Sequence, residues 1–135
     1  MDRITIEKTA DVYADKAPES YCNGEKGMTL NEYQNKALET AQYPKEHKII
    51  YPTLGLTGEA GEVSDKVKKV LRDFNGDFSE SIRYELAKEL GDVLWNIATL
   101  SHDLGYTLEE IGEMNNAKLA SRKQRGKISG NGDNR

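Results

Sequence analysis

Two short stretches hold the residues that could do chemistry. Glu59 and Glu62 stand in Gly58-Glu59-Ala60-Gly61-Glu62, and Glu89 and Asp92 in Glu89-Leu90-Gly91-Asp92. Each pair is spaced i, i+3, so a helix would carry both acids on one face, a turn apart. Between the pairs lie 26 residues, room for the end of one helix, a turn and the start of another. Two antiparallel helices would then bring four carboxylates together. Such a cluster repels itself unless a positive charge sits in it. A hard divalent cation answers that need, and Mg²⁺ commonly joins a few carboxylates to substrate phosphates. The bland alternative is that these are boundary acids paired with Lys66, Lys69 or Lys88.

Helices must position those acids. Thr29 with Glu32 forms a capping-box pattern, and Leu30, Tyr33, Ala37, Leu38 and Ala41 follow at helical spacing until Pro44. A second helix is expected from about Leu54 to Asp73, after a connection ending at Pro52, with Leu56, Ala60, Val63, Val67 and Val70-Leu71 as its apolar stripe. Gly55, Gly58 and Gly61 weaken it, and suggest that a neighbour or ligand comes close at the carboxylates. Asp73–Asp77 reads as an acidic turn; its spacing does not fit a calcium loop. Ser79 is expected to cap a third helix to about Leu104, with a continuous apolar face through Ile82, Leu86, Leu90, Val93-Leu94, Ile97, Leu100 and Leu104. Gly105 ends it, and Thr107 with Glu110 caps a fourth. The stripe of that last helix changes from Ile111 to Asn115, Lys118 and Arg122, a cationic and amide face suited to polyphosphate. Its alternative is a solvated helix end whose cations complement the helix dipole.

The expected fold is therefore all-α: an antiparallel bundle of about four main helices, completed by oligomerisation. Residues 1–28 read as a leader, 29–125 as the helical domain and 126–135 as a flexible tail. A chain of 135 residues fits one domain with a modest core, which a second copy would help to complete. The net charge of −4 argues against binding nucleic acid through overall charge. No apolar run approaches a membrane span, no secretory signal is evident, and the lone Cys22 suits a reducing cytoplasm. His47 and His102 are not at zinc-ligand spacing with Cys22, and no Gly-rich phosphate loop is present. Trp95 is expected in the core or an interface, or stacked on a base. Tyr33, Gln34 and Tyr43 are further candidates for a pocket lining.

Gly-Leu-Thr-Gly-Glu59-Ala-Gly-Glu62-Val, followed by Glu89-Leu-Gly-Asp92-Val-Leu-Trp, resembles the signature of the MazG-like nucleotide pyrophosphohydrolases, of the all-α NTP pyrophosphatase superfamily. Asn115-Asn116-Ala117-Lys118-Leu119 with Arg122 resembles a later segment of many members. The resemblance spans about residues 29–135. It implies homodimers or dimers of dimers, Mg²⁺ (with Mn²⁺ as a substitute) on Glu59, Glu62, Glu89 and Asp92, and hydrolysis of ribo- or deoxynucleoside triphosphates to monophosphate and pyrophosphate. Asn115, Lys118 and Arg122 would hold the triphosphate, and Trp95, read from its place one turn after Asp92, is the candidate to stack on the base. In that scheme the catalytic acids are Glu62 and Glu89, Glu62 taking the proton of the attacking water, and Lys118 and Arg122 stabilise the leaving pyrophosphate. Two rivals stand beside it: a non-catalytic helical interaction protein, and a hydrolase of the same fold acting on dUTP or phosphoribosyl-ATP.

Overall fold

A computed structural model describes residues 27–129. The expected leader lies outside them except for Gly27 and Met28, as does Cys22, and residues 130–135 of the expected tail also lie outside. The described chain is all-helical. Its elements are α1 (Leu30–Glu39), a 3₁₀ turn (Lys45–His47), α2 (Ile50–Asp73), α3 (Glu80–Asp103) and α4 (Leu108–Gln124). Among the described residues no helix is long and apolar enough to cross a membrane.

Local chemistry sets most boundaries. Thr29 accepts from the Glu32 N–H at 3.1 Å, and the Glu32 carboxylate accepts from the Thr29 N–H at 2.6 Å. Thr107 and Glu110 repeat this box at the start of α4. Each box satisfies two amides that helix geometry would leave unpaired. Both α3 and α4 close on a glycine with positive φ, Gly105 at 85° and Gly126 at 64°. Tyr106 N donates to Ser101 O and Lys127 N to Arg122 O, the return bonds of a Schellman ending.

One helix start and one cap differ from expectation. α2 begins at Ile50, four residues early, because Pro52 falls in its first turn, where a proline costs no helical hydrogen bond. Ser79 is the residue before α3, but its hydroxyl makes no capping bond; it lies 3.1 Å from the Ser81 hydroxyl.

The long helices α2 and α3 form the antiparallel pair at the centre of the fold, and α1 and α4 both pack on α3. A small core joins Ala37, Ala98 and Leu108, with Tyr33, Trp95 and Ile97 against it. α3 buries the expected apolar stripe only in part: Ile82, Leu86, Val93, Ile97 and Leu100 are half-buried. Asn96, Ala98, Thr99 and Ser101 are buried, whereas Leu90, Leu94 and Leu104 are exposed.

Candidate metal centre

The α2–α3 pair keeps one antiparallel register. Gly55 meets Asn96, Glu59 lies beside Asp92, and Lys66 reaches Glu85. That register unites acids from both stretches. One carboxylate oxygen each from Glu59, Glu89 and Asp92 lies within 4.8 Å of the others. Glu62 is not part of this three-atom cluster. It stands one turn from Glu59, close enough to raise the Glu59 pKa, and the register sets it opposite Glu89. The Glu59 carboxyl is pushed up first by desolvation, then by Asp92, Glu62 and Glu89 in that order. An oxygen-only donor set of this span fits a hard divalent cation.

A positive charge already touches the cluster. Lys66 Nζ lies 2.9 Å from Glu89 Oε1 and 3.4 Å from Glu85 Oε2. Of the three lysines that could pair with these acids, Lys66 does so, with Glu89. Lys69 turns to Asp65 and Lys88 to Glu85.

Beside the acids opens a cavity of about 370 Å³, lined by Tyr51, Leu54, Gly55, Glu59, Asp92, Trp95 and Asn96. Its far wall is braced from behind. Asp103 Oδ2 accepts from the Tyr43 hydroxyl at 2.8 Å and from the Ile49 amide at 3.0 Å. Ile49 has φ 68° and ψ −51°, and Ile50 N donates to Lys48 O at 2.7 Å. This is a γ-turn of the strained sense, rare for a β-branched residue. Tyr43 then stacks on Tyr51, with ring centres 5.0 Å apart and planes 16° from parallel. Burial and Asp103 push the Tyr43 hydroxyl up to about 12.

The other expected site residues are placed as follows. Trp95 lines the cavity, and its indole N–H donates to Ala37 O at 3.1 Å and to the Thr40 hydroxyl at 2.8 Å. Asn115 and Lys118 are exposed on α4, and Arg122 is buried there; none of the three lines this cavity within one chain. Tyr33 packs on the core, its pKa raised by burial and then by Asp92. Gln34 is a structural brace and does not line the cavity. The close approach expected from the glycines occurs at Gly55 alone. A Cβ at Gly58 or Gly61 would meet nothing within 4 Å. Tyr51, Leu54 and Asn96 were not expected as cavity residues. The signal was their spacing, since Gly55 and Asn96 stand one turn outside the acids, Gly55 before Glu59 and Asn96 after Asp92.

The raised Glu59 pKa has a definite sign. The folded state holds this proton at pH values where the unfolded chain has lost it. The stability it contributes is full below the ordinary glutamate pKa and is lost as pH rises through the raised one. In EDTA, Glu59→Gln should therefore gain in melting temperature over the wild type as pH rises above the glutamate range. Added Mg²⁺ should close the gap by stabilising only the wild type. A gap that does not change with pH would show that the acids are not coupled.

An all-helical fold with paired acids on adjacent antiparallel helices, three of them clustered beside a cavity, defines a class of helical carboxylate proteins. A family model for the MazG nucleotide pyrophosphohydrolase domain matches residues 50–126. The chain is also 45% identical over 114 residues to the Gene 37 protein of Mycobacterium phage L5, covering 80% of this chain and all of that protein. The chain belongs to the MazG nucleotide pyrophosphohydrolase family. No solved structure matches it significantly.

Proposed function

We propose that the protein is a Mg²⁺-dependent nucleoside triphosphate pyrophosphohydrolase. It would add water at the α-phosphorus of a ribo- or deoxynucleoside triphosphate, break the bond to the β-phosphate, and release monophosphate and pyrophosphate. The carrying observation is the meeting of Glu59, Glu89 and Asp92, from two helices, at a cavity with aromatic walls.

Glu59, Glu89 and Asp92 would hold Mg²⁺, or Mn²⁺ in its place. The bound cation would neutralise phosphate charge and make water more acidic. Glu62, outside the closest cluster yet beside it, is the acid left to accept the proton of the attacking water. Tyr51 and Trp95 offer apolar walls to the nucleoside. Asn115, Lys118 and Arg122 keep their role as triphosphate contacts on motif resemblance, and would enter from a second copy of the chain. A homodimer or dimer of dimers would also cover Leu54, Leu90 and Leu94, which one chain leaves exposed around the site. Free nucleotides as substrates suit the cytoplasm and a housekeeping role in the nucleotide pool.

The test is pyrophosphate release from a panel of ribo- and deoxynucleoside triphosphates, including dUTP, with Mg²⁺ and with EDTA. Release of pyrophosphate with Mg²⁺ only is the expected result. The Lys66–Glu89 pair favours the second reading, a non-catalytic bundle with ion-paired boundary acids. Silence across the panel, with a melting temperature indifferent to Mg²⁺, would support that reading and refute the first.

A further inference from the structure

Asn96 is a buried amide on the wall of a cavity. It is 4% exposed, on α3 one turn beyond Asp92. Its Nδ2 donates to Asp92 O at 3.0 Å. The carboxamide occupies the place that a side chain at position 55 would take. A Cβ on Gly55 would stand 2.1 Å from Asn96 Oδ1 and 2.9 Å from its Cγ. Asn96 keeps this pose only while residue 55 is glycine. An amide has two N–H donors and one acceptor oxygen. One N–H is spent on Asp92 O. A buried polar group costs stability unless its remaining capacity is used.

The register gives the cavity a ruler. The acids stand at one end. Gly55 and Asn96 lie four residues away on their helices, about 6 Å along the axis, and Tyr51 lies about 6 Å further on. A nucleotide held through its phosphates at the acids therefore sets its sugar beside Gly55 and Asn96, and its base toward Tyr51. The sugar hydroxyl common to ribo- and deoxynucleotides is the 3′-hydroxyl.

We infer that Asn96 is a specificity-determining residue, its amide hydrogen-bonding the 3′-hydroxyl of the bound nucleotide while the Gly55 backbone fixes its orientation. The inference rests on the pyrophosphohydrolase reading.

The test compares kcat/KM for a deoxynucleoside triphosphate with its 2′,3′-dideoxy analogue, with Mg²⁺, in the wild type, Asn96→Leu and Gly55→Ala. A site that hydrogen-bonds a substrate hydroxyl rejects the analogue lacking it, here by roughly 10-fold or more. The wild type should show that preference, and both variants should lose it to within about 3-fold, chiefly through the deoxynucleotide. Gly55→Ala keeps the Asn96 side chain and installs a better helix former, so it decides the matter if Asn96→Leu does not fold. No preference in the wild type would overturn the inference, as would an unchanged ratio in a folded variant. Equal losses on both substrates would reduce Asn96 to a packing role and overturn it too. Pyrophosphate release from no nucleotide would instead defeat the functional reading and the inference with it.

Discussion

Glu89→Gln should lower Mg²⁺-dependent pyrophosphate release by roughly 100-fold or more, since even groups that only support metal ligands cost 10- to 100-fold when changed. The substitution nearly preserves shape. It removes one negative charge from a three-carboxylate cluster, and with it the partner of the closer Lys66 contact. Lys66 keeps Glu85, 3.4 Å away, so the helix pair retains an ion pair across its register. Glu85→Gln is the matched control. Glu85 contacts Lys66 and Lys88 but lies outside the cluster, and its removal should change the rate by about 3-fold at most, as befits an exposed pair. The second readout is thermal. Mg²⁺ should raise the melting temperature of the wild type and of Glu85→Gln, and not that of Glu89→Gln. If Glu89→Gln kept a third of the wild-type rate, Glu89 would be a boundary acid paired with Lys66 and nothing more.

Gln34→Ala should cost about 3 kcal/mol, on the order of 10 °C in melting temperature. Gln34 is 4% exposed and makes three hydrogen bonds. Its Nε2 donates to Ala98 O at 3.0 Å and to Tyr106 O at 3.2 Å, and its Oε1 accepts from the Leu108 amide at 3.0 Å. One side chain of α1 thus ties α3 to the start of α4. Alanine there strands the Leu108 N–H in a buried place and the Tyr106 C=O in a part-buried one, and leaves a void. Each stranded group costs about 1–3 kcal/mol, which sets the estimate. Asn31→Ala is the comparison. It breaks part-buried contacts to Glu109 on the same two helices, and should cost about 1 kcal/mol. Equal effects from the two would mean that water replaces the Gln34 bonds. Under the proposed triphosphate role of Asn115, Lys118 and Arg122 on α4, Gln34→Ala should also weaken triphosphate binding beyond what Asn31→Ala does.

Much of this protein is determined by local rules, and these are readable in the chain alone. Thr29 with Glu32 and Thr107 with Glu110 state where two helices begin, because a side-chain oxygen three residues from its amide partner needs no tertiary context. Gly105 ends α3 because a left-handed residue is needed there. The i, i+3 spacing sets each acid pair on one helix face, and the 26 residues between pairs allow a hairpin. Family membership follows from the same residues.

What only the tertiary structure decided is which residues meet. Hydrophobicity favoured one apolar stripe on α3, of which Ile82, Leu86, Val93, Ile97 and Leu100 are half-buried, but the residues buried most fully are Asn96, Ala98, Thr99 and Ser101. Close helix contact rewards small side chains, a benefit no apolar stripe records. The lengths and register of α2 and α3 select Glu59, Glu89 and Asp92 as the tight cluster and bring Lys66 to Glu89. Three similar glycines had equal claims in the sequence, yet only Gly55 faces a neighbour. Its significance depends on Asn96, a residue 41 positions away in the chain, brought to it by the antiparallel pairing of two helices.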